Sequence, residues 1–355
     1  MLRSILPALL VLGLVARPAD AAPQTGAHFS RPQLQRFAAH VARRDGLNRA
    51  RVLRILEQAK PQPSIIAMMN RPAEHVLEWW QYRRIFLNPA RIAAGAAFWQ
   101  AHRRALARVG AEQGVDPRYI VAILGVETYY GRLTGSFRVL DALSTLAFDY
   151  PARSRFFALE LEHFLVLAQR DRLDPLTVKG SYAGAMGPMQ FMPSAYLRYA
   201  RATGDGPPNL FSDWDDIFAS VANYLREHGW QPGAPVLARV RIEPGARFEV
   251  DPHNLALDRT VGALAAQGVE VETDQSVDTP VVLLLAHRRS GPIYRAGFNN
   301  FHALLTYNHS KLYVMAVDEL AQAIARRVHP ASNPHELSAA ARAAHGPAGG
   351  PDQPR

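Results

Sequence analysis

A single glutamate, Glu127, ends an otherwise apolar stretch of the chain, YIVAILGVETYYGR at 119–132. If this stretch is a helix, Ile120, Leu124 and Glu127 share one face, so the carboxyl group continues the buried stripe. A buried carboxylate is costly unless it is paired or takes up a proton. Burial and the negative end of the helix dipole would both raise its pKa, as a general acid at neutral pH requires. The alternative is a structural glutamate paired with Arg132 or another arginine.

Two further stretches have residue types that suit a binding cleft. GSYAGAMGPMQFMPS at 180–194 combines three glycines with the neutral hydrogen-bonding groups of Ser181 and Gln190 and with apolar methionine and phenylalanine surface. Neutral donors beside apolar faces suit a sugar, although a tight structural loop would have the same composition. In TYNHSKLYVMAVDEL at 306–320, two tyrosines and an asparagine precede a predicted helix, where the asparagine could equally be a turn residue.

Mainly helical elements must position these residues. Apolar spacing and proline punctuation predict helices on both sides of Asp116-Pro117, which itself reads as a helix start. The Val-rich segments VLARVRIEP, ARFEV, VEVET and TPVVLLLA predict a small antiparallel sheet. The predicted organisation is a signal peptide at 1–21, a helical region at 22–115, a helical core with Glu127 at 116–231, a β insertion at 232–290, a C-terminal helical part at 291–330, and a disordered tail at 331–355.

Charge and the N-terminal segment narrow the class of partner. The 355-residue chain has a formal charge of +9 and a pI near 10.0, which favours an anionic partner. Residues 1–21 combine an early arginine, a short apolar run and Ala19-Asp20-Ala21, the layout of a secretory signal. Export argues against nucleic acid and favours an extracytoplasmic acidic polymer. No cysteine is present to form a disulfide or carry a lipid, and no run predicts a stable membrane span.

Taken together, the motifs resemble the lytic murein transglycosylases of the membrane-bound B type. The similarity runs from Trp80 to Val328 and includes, in order, GVETYYG, DALSTLAFDYPARSRFF, GSYAGAMGPMQFMPS, SVANYLREHGW and YNHSKLYVMAV. The resemblance implies a mainly α (α+β) fold: a lysozyme-like catalytic core with an added helical domain and a small antiparallel β insertion. It implies cleavage of peptidoglycan between N-acetylmuramic acid and N-acetylglucosamine, with 1,6-anhydromuramic ends.

The resemblance also implies roles for individual residues. Glu127 matches the sole catalytic acid/base, and Ser181 lies where the family contacts the muramoyl N-acetyl group. Further matches to residues that bind or orient the sugars or the peptide stem are Gln190, Tyr224, Tyr307, Asn308, Tyr313, Arg153 and Tyr82. The implied partners are glycan strands with peptide stems, and possible proteins of cell-wall synthesis or division. The implied location is the periplasm, in a soluble form.

The number of carboxylates separates the possible mechanisms. Most glycosidases use two across the scissile bond, whereas one glutamate stands out here. Asp141, Asp149 and Asp213 are the nearest rivals, of which Asp141 fits a helix cap and Asp149 a turn. A hydrolytic muramidase, or a non-catalytic wall-binding protein, remains the alternative.

No cofactor is expected, and one departure from the family concerns calcium. Family members can carry an EF-hand-type loop near ARATGDGPPNLFSDWDD at 200–216. Here Arg201 falls at the first ligand position and Thr203 at the third when Asp205 is placed at the fifth. A cation at the first position, together with two stiffening prolines, argues against calcium, and no other metal site is predicted.

Overall fold

The computed structural model describes residues 28–70 and 77–329. The predicted signal peptide and the predicted C-terminal tail lie outside these residues, as do the first residues of the N-terminal helical region. Within the described part of the chain, no helix is both long enough and apolar enough to cross a membrane.

Helices make up the N-terminal part of the described chain. They are α1 (Arg31–Asp45), α2 (Arg49–Leu56), α3 (Pro63–Met69), α4 (Trp79–Phe86), α5 (Pro89–Ala101) and α6 (Arg103–Gln113). Asparagine caps and prolines in the first turn start several of them. The sequence predicts one long helix through α5 and α6. The structure interrupts it at His102, whose ring packs 5.3 Å from the ring of Trp214.

The central part holds the helix that carries Glu127. Its elements are α7 (Pro117–Thr128), β1 (Phe137–Arg138), α8 (Val139–Asp149), a 3-10 turn (Pro151–Arg153), α9 (Ser154–Arg170), β2 (Lys179–Gly180), α10 (Pro193–Tyr199) and α11 (Trp214–Glu227). Every residue of α7 from Tyr119 to Thr128 is buried. Neighbouring helices surround α7, so this helix lies at the centre of the hydrophobic core.

The remaining elements are β3 (Leu237–Ile242), β4 (Arg259–Thr260), α12 (Val261–Ala265), β5 (Val269–Val271), β6 (Pro280–Arg288), β7 (Gly291–Gly297), α13 (Asn299–Tyr307) and α14 (Lys311–Val328). The strands form an antiparallel sheet in the order β4-β6-β7-β3-β5. The mainly α fold with a small antiparallel sheet is therefore confirmed.

Two details of the predicted β region are wrong. ARFEV forms no strand, although its residues Phe248 and Val250 pack against the hydrophobic core of the sheet. The β region was also predicted to end at residue 290, but β7 follows that position and pairs with β6 across the Arg288↔Gly291 register. The C-terminal helical part therefore begins only at Asn299.

A buried hydrogen bond joins helix α14 to helix α7. The Tyr119 hydroxyl donates to Oδ1 of Asp318 at 2.9 Å. Burial raises the pKa of Asp318 from its ordinary 3.8 to about 6, although the hydrogen bonds from Tyr119 and Gln322 and the charge of Arg118 oppose the shift. This carboxyl group therefore binds a proton more tightly in the folded protein than in the unfolded chain.

This shift predicts a pH-dependent stability. A group whose folded pKa lies above its unfolded one favours folding at low pH, and the benefit is lost as the pH rises through the folded value. Between about pH 4 and pH 7, the wild type should therefore lose about 2–3 kcal/mol of unfolding free energy relative to Asp318→Asn, which cannot titrate. Urea unfolding across this range measures the difference, and a constant difference would contradict it.

Candidate active site

The sequence of α7 places Glu127 at the end of a buried helix. The Asp116 side chain caps the start by accepting from the backbone N–H of Arg118 at 2.9 Å, and Pro117 occupies the first turn. The helix ends after Thr128, where Tyr129 and Tyr130 adopt left-handed φ values of 52° and 61°. Glu127 is only 9% exposed. The predicted burial of this carboxyl group in the last turn is therefore confirmed.

Tyr313 of α14 contacts Glu127 directly. Its hydroxyl donates to Oε1 of Glu127 at 2.8 Å, and its side chain is fully buried. Arg132, the alternative partner considered from the sequence, lies with its guanidinium 5.1 Å from the ring of Tyr129. The tyrosine was predicted as a cleft residue, but its direct contact with the glutamate could not be derived from residues so far apart in the chain.

Two tyrosines beside Glu127 remain hydrogen-bond donors. Burial, and then the negative charge of Glu127, raise the pKa of Tyr313 and of Tyr307 well above the ordinary value. The ring of Tyr307 stacks 6.4 Å from that of Tyr313, and its hydroxyl donates to the carbonyl of Met189 at 2.6 Å. Tyr224 continues the aromatic group, with its ring 4.9 Å from Tyr307. The structure therefore brings three of the predicted tyrosines together.

The glycine-rich stretch folds into a tight loop against this group. Isolated bridges pair Met186 with Gly180 and with Phe191, and Gly187 has a φ of 70°. The Ser181 hydroxyl oxygen accepts from the backbone N–H of Ala185 at 3.0 Å, which leaves its own proton free to donate. The loop therefore has a structural role, and the hydroxyl proton of Ser181 takes no part in it.

Two predicted sugar-binding residues have a buried oxygen atom without a partner. The Gln190 amide donates to the carbonyl of Gly187 at 2.9 Å and to that of Thr134 at 3.2 Å, but within the described residues its Oε1 accepts no hydrogen bond. The same holds for Oδ1 of Asn308, a buried residue at the C-terminal end of α13. Buried acceptors are normally satisfied, so both oxygens are candidates for donors from a ligand.

Thr128 is a site residue that the sequence analysis missed. It is 1% exposed, and its hydroxyl donates to the carbonyl of Pro188 at 2.7 Å while accepting from the backbone N–H of Gly131 at 3.0 Å. These bonds fix the end of α7 against the glycine-rich loop. The only available signal was its position immediately after Glu127.

Arg153 and Tyr82, two further predicted site residues, are less closely associated with the tyrosines around Glu127. The guanidinium of Arg153 lies 4.5 Å from the ring of Phe156, and burial lowers its pKa. Tyr82 of α4 is fully buried, with its ring 5.2 Å from that of Phe86, and is close enough to Tyr313 to influence its pKa. The roles of Arg153 and Tyr82 in binding a peptide stem or a sugar stay predictions.

The three carboxylates considered for a second catalytic role are Asp141, Asp149 and Asp213. Asp141 accepts from the backbone N–H of Lys60 at 2.8 Å and from the guanidinium of Arg138 at 2.6 Å, so it joins separate segments instead of capping its own helix. Asp213 caps α11 by accepting from two backbone N–H groups. Asp149 lies at the surface at the end of α8, and the part of its side chain that is covered is enough to raise its pKa.

The loop at 201–216 closes through protein hydrogen bonds. One carboxylate oxygen of Asp216 accepts from the backbone N–H and the hydroxyl of Thr203 at 2.7 and 2.8 Å, and the other accepts from the backbone N–H of Asn209 at 2.8 Å. Asp215 pairs with Arg108 at 2.8 Å. Across the described ranges, no three His, Cys, Asp or Glu side chains cluster as a metal site would require. That this loop binds no calcium stays a prediction.

Comparisons with known proteins identify a family. Residues 30–322 match the family described as "Transglycosylase SLT domain". The chain is 38% identical to "Membrane-bound lytic murein transglycosylase B" of Escherichia coli (strain K12) over 327 residues, which cover 88% of each protein.

Solved structures of lytic transglycosylases are also similar to this chain. The catenated lytic transglycosylase SltB1 from Pseudomonas aeruginosa is 41% identical with a TM-score of 0.77, over 84% of this chain and 98% of that one. SltB3 from the same organism, in complex with NAG-anhNAM-pentapeptide, is 30% identical with a TM-score of 0.74, over 83% and 80%. The lysozyme-like architecture implied by the motifs is confirmed by these neighbours.

The contact between Tyr313 and Glu127 predicts a pH-dependent contribution to the free energy of unfolding. Tyr313→Phe removes a donor from a buried carboxylate, and should cost about 1–3 kcal/mol of unfolding free energy while Glu127 is ionised. The cost should shrink in acid, once Glu127 is protonated. Urea unfolding at several pH values measures both.

Tyr307→Phe is the matched control. Its hydroxyl donates to a neutral carbonyl instead of a carboxylate. Its cost should therefore stay constant over the same pH range. Equal pH profiles for the two variants would contradict a charge-assisted bond at Glu127.

Proposed function

Because the chain belongs to the transglycosylase SLT family, we propose that it is a lytic transglycosylase of peptidoglycan. It cleaves the β-1,4 bond between N-acetylmuramic acid and N-acetylglucosamine and leaves a 1,6-anhydromuramic end. The observation that carries this proposal is the buried carboxyl group of Glu127 at the end of α7, held by the Tyr313 hydroxyl at 2.8 Å.

In the first step, Glu127 acts as a general acid. Its protonated carboxyl group donates to the glycosidic oxygen as the bond to C1 of the muramic acid breaks, and the N-acetylglucosamine leaves as an alcohol. The apolar surroundings of α7 favour the neutral form before the transfer. Tyr313, which remains protonated, then donates to the new carboxylate and stabilises it.

In the second step, the same carboxylate acts as a base. It takes the proton of the C6 hydroxyl of the muramic acid, and O6 closes onto C1 to form the 1,6-anhydro ring. The proton given in the first step is thereby regained, and no water enters the product. Between the two steps, the oxygen of the substrate's own N-acetyl group stabilises the positive charge at C1.

The contacts of the other carboxylates support a mechanism with one catalytic group. A two-carboxylate glycosidase needs a second acid or base across the scissile bond. Asp141 and Asp213 are instead engaged by backbone N–H groups, and Asp141 also by Arg138. The substrate's own hydroxyl supplies the nucleophile that a second carboxylate would otherwise provide or activate.

The orphaned polar atoms support sugar binding at the same place. We assign the hydroxyl proton of Ser181 to the acetamido carbonyl of the muramic acid, because the Ser181 oxygen already accepts from Ala185. The buried oxygens of Gln190 and Asn308 would accept from sugar hydroxyl or amide groups. The rings of Tyr224 and Tyr307 offer apolar surface to the sugar faces.

The proposed site of action is the periplasm, where peptidoglycan is accessible to an exported protein. The predicted signal peptide at 1–21 supports export. The relatives named above are lytic transglycosylases, which is consistent with this location.

We also propose that this chain works without calcium in the loop at 201–216. Two carboxylates of the loop are already engaged, Asp216 by Thr203 and Asn209, and Asp215 by Arg108. Calcium at about 1 mM should therefore leave the melting temperature unchanged within error, since a site with a Kd well below that would raise it. Differential scanning calorimetry after EDTA treatment, with and without calcium, measures this, and a calcium-dependent rise would contradict it.

The decisive prediction concerns the products. Glu127→Gln should lower turnover of purified peptidoglycan by at least about 10³-fold, because the amide can neither donate nor accept the proton. Mass spectrometry of wild-type products should show fragments lighter by one water than hydrolysis products. The control variant, Asp149→Asn, should keep activity within about twofold, as a surface substitution away from the mechanism.

Other outcomes would favour the alternatives. Hydrated reducing ends would indicate a muramidase and a second catalytic group. No product from the wild type would favour a non-catalytic wall-binding protein. Full activity in Glu127→Gln would remove Glu127 from the mechanism.

A further inference from the structure

A cavity of about 860 Å³ lies between α4, α14 and the five-stranded sheet. Its walls include Arg83 and Arg84 of α4, Arg239 of β3 and Arg326 of α14. The β6–β7 hairpin adds Arg288, Arg289 and Arg295, so seven arginines surround one space. We call this cavity the arginine pocket. Neither the catalytic mechanism nor the sugar-binding residues use it.

The charge of the arginine pocket is largely uncompensated. Its lining holds only two carboxylates, Asp318 and Glu319. Glu319 accepts from Arg83 at 2.6 Å, and Asp318 is engaged by the hydroxyl of Tyr119. Among the residues that the structure describes, none of the other six arginines forms an ion pair with a carboxylate. An anionic ligand would supply the missing partners.

The sheet register places two of these arginines against each other. Arg239 of β3 is directly opposite Arg295 of β7, and like charges in opposed positions destabilise an antiparallel pair. Burial lowers the pKa of Arg295, and the nearby charges of Arg288 and Arg239 lower it further, although the charges of Glu319 and Asp318 oppose the shift. The fold therefore tolerates an unfavourable cluster at this wall, as a binding site for anions would.

Aromatic and apolar surface separates the charges. The guanidinium of Arg289 lies 4.4 Å from the ring of Trp80, and the wall between the arginines includes Trp79, Leu87 and Ile92. A single phosphate would require the arginines to converge on one point, whereas these come from four elements around a wide space. A peptide with several carboxylates and small apolar side chains matches this pattern better.

The arginine pocket is separate from the catalytic group. Tyr119 of α7 bonds to the pocket residue Asp318, whereas Glu127 lies eight residues further along the same helix. Eight residues of α-helix correspond to about 12 Å. We propose that the arginine pocket binds the acidic peptide stems of peptidoglycan at this second place. The choice of stems as the source of the peptide rests on the proposed function, whereas the binding of an acidic peptide does not.

Binding can be tested without any turnover. A synthetic peptide, Ala-Glu-Ala-Glu, is titrated into the full chain by isothermal calorimetry. The double variant Arg288→Gln/Arg289→Gln should bind it at least about tenfold more weakly, because two exposed charge-assisted partners are lost. The control Arg103→Gln/Arg104→Gln removes the same charge from an exposed pair on α6 and should bind like the wild type.

Three results would overturn the pocket as an acidic-peptide site. The first is no binding to the wild type, or equal binding of Ala-Gln-Ala-Gln. The second is an equal loss in both double variants, which would show general charge attraction. The third is inorganic phosphate displacing the peptide at equal concentration, which would show a site for a single oxyanion.

A second measurement tests the stems themselves. Glu127→Gln, with and without the Arg288→Gln/Arg289→Gln changes, is sedimented with insoluble peptidoglycan whose stems are intact or enzymatically removed. The arginine changes should lower retention several-fold on intact material and have no effect on stripped material. An equal effect on both would overturn the assignment to stems.

The two proposals fail in distinguishable ways. If Glu127→Gln retains activity while Arg288→Gln/Arg289→Gln still abolishes peptide binding, the catalytic proposal fails and the acidic-peptide site stands. If the product analysis succeeds and the double variant binds the peptide normally, the arginine pocket proposal fails alone.

Discussion

The burial of one carboxyl group, Glu127, is the constraint on which the site depends. An isolated carboxylate in an apolar helix would be strongly destabilising, so the surrounding structure must either keep it protonated or hydrogen-bond its charged form. This fold provides for both states. The apolar face of α7 disfavours the charge, while the Tyr313 hydroxyl donates to it at 2.8 Å. A group that alternates between acid and base needs both conditions in one place.

Helix α14 links this constraint to the rest of the molecule. Tyr313 near its start contacts Glu127, and Asp318 in its middle accepts from Tyr119. These two contacts fix the position of α14 along α7. The same helix then presents Glu319 and Arg326 to the arginine pocket. One helix therefore borders both the proposed catalytic group and the proposed peptide site.

Local structure followed the sequence closely where local rules apply. The Asp116-Pro117 start, the buried stripe leading to Glu127 and the strands in VLARVRIEP and TPVVLLLA each reflect backbone capping or side-chain period. ARFEV departs from this rule: its apolar residues Phe248 and Val250 pack against the core of the sheet without forming a strand. The composition of β7, GPIYRAG, lacks a clear alternation, so only its pairing with β6 and β3 identifies it as a strand.

The sequence by itself determined which residue types were available for chemistry: one glutamate at the end of an apolar helix, a glycine-rich loop and a late pair of tyrosines. Tertiary structure alone decided which of them meet. The Tyr313–Glu127 contact spans 186 positions, and the arginine pocket collects residues from 79 to 326. Periodicity and capping act over a few residues, whereas hydrogen bonds and charge clusters depend on how distant elements pack. That difference in range is why the chemistry could be anticipated from the chain and its geometry could not.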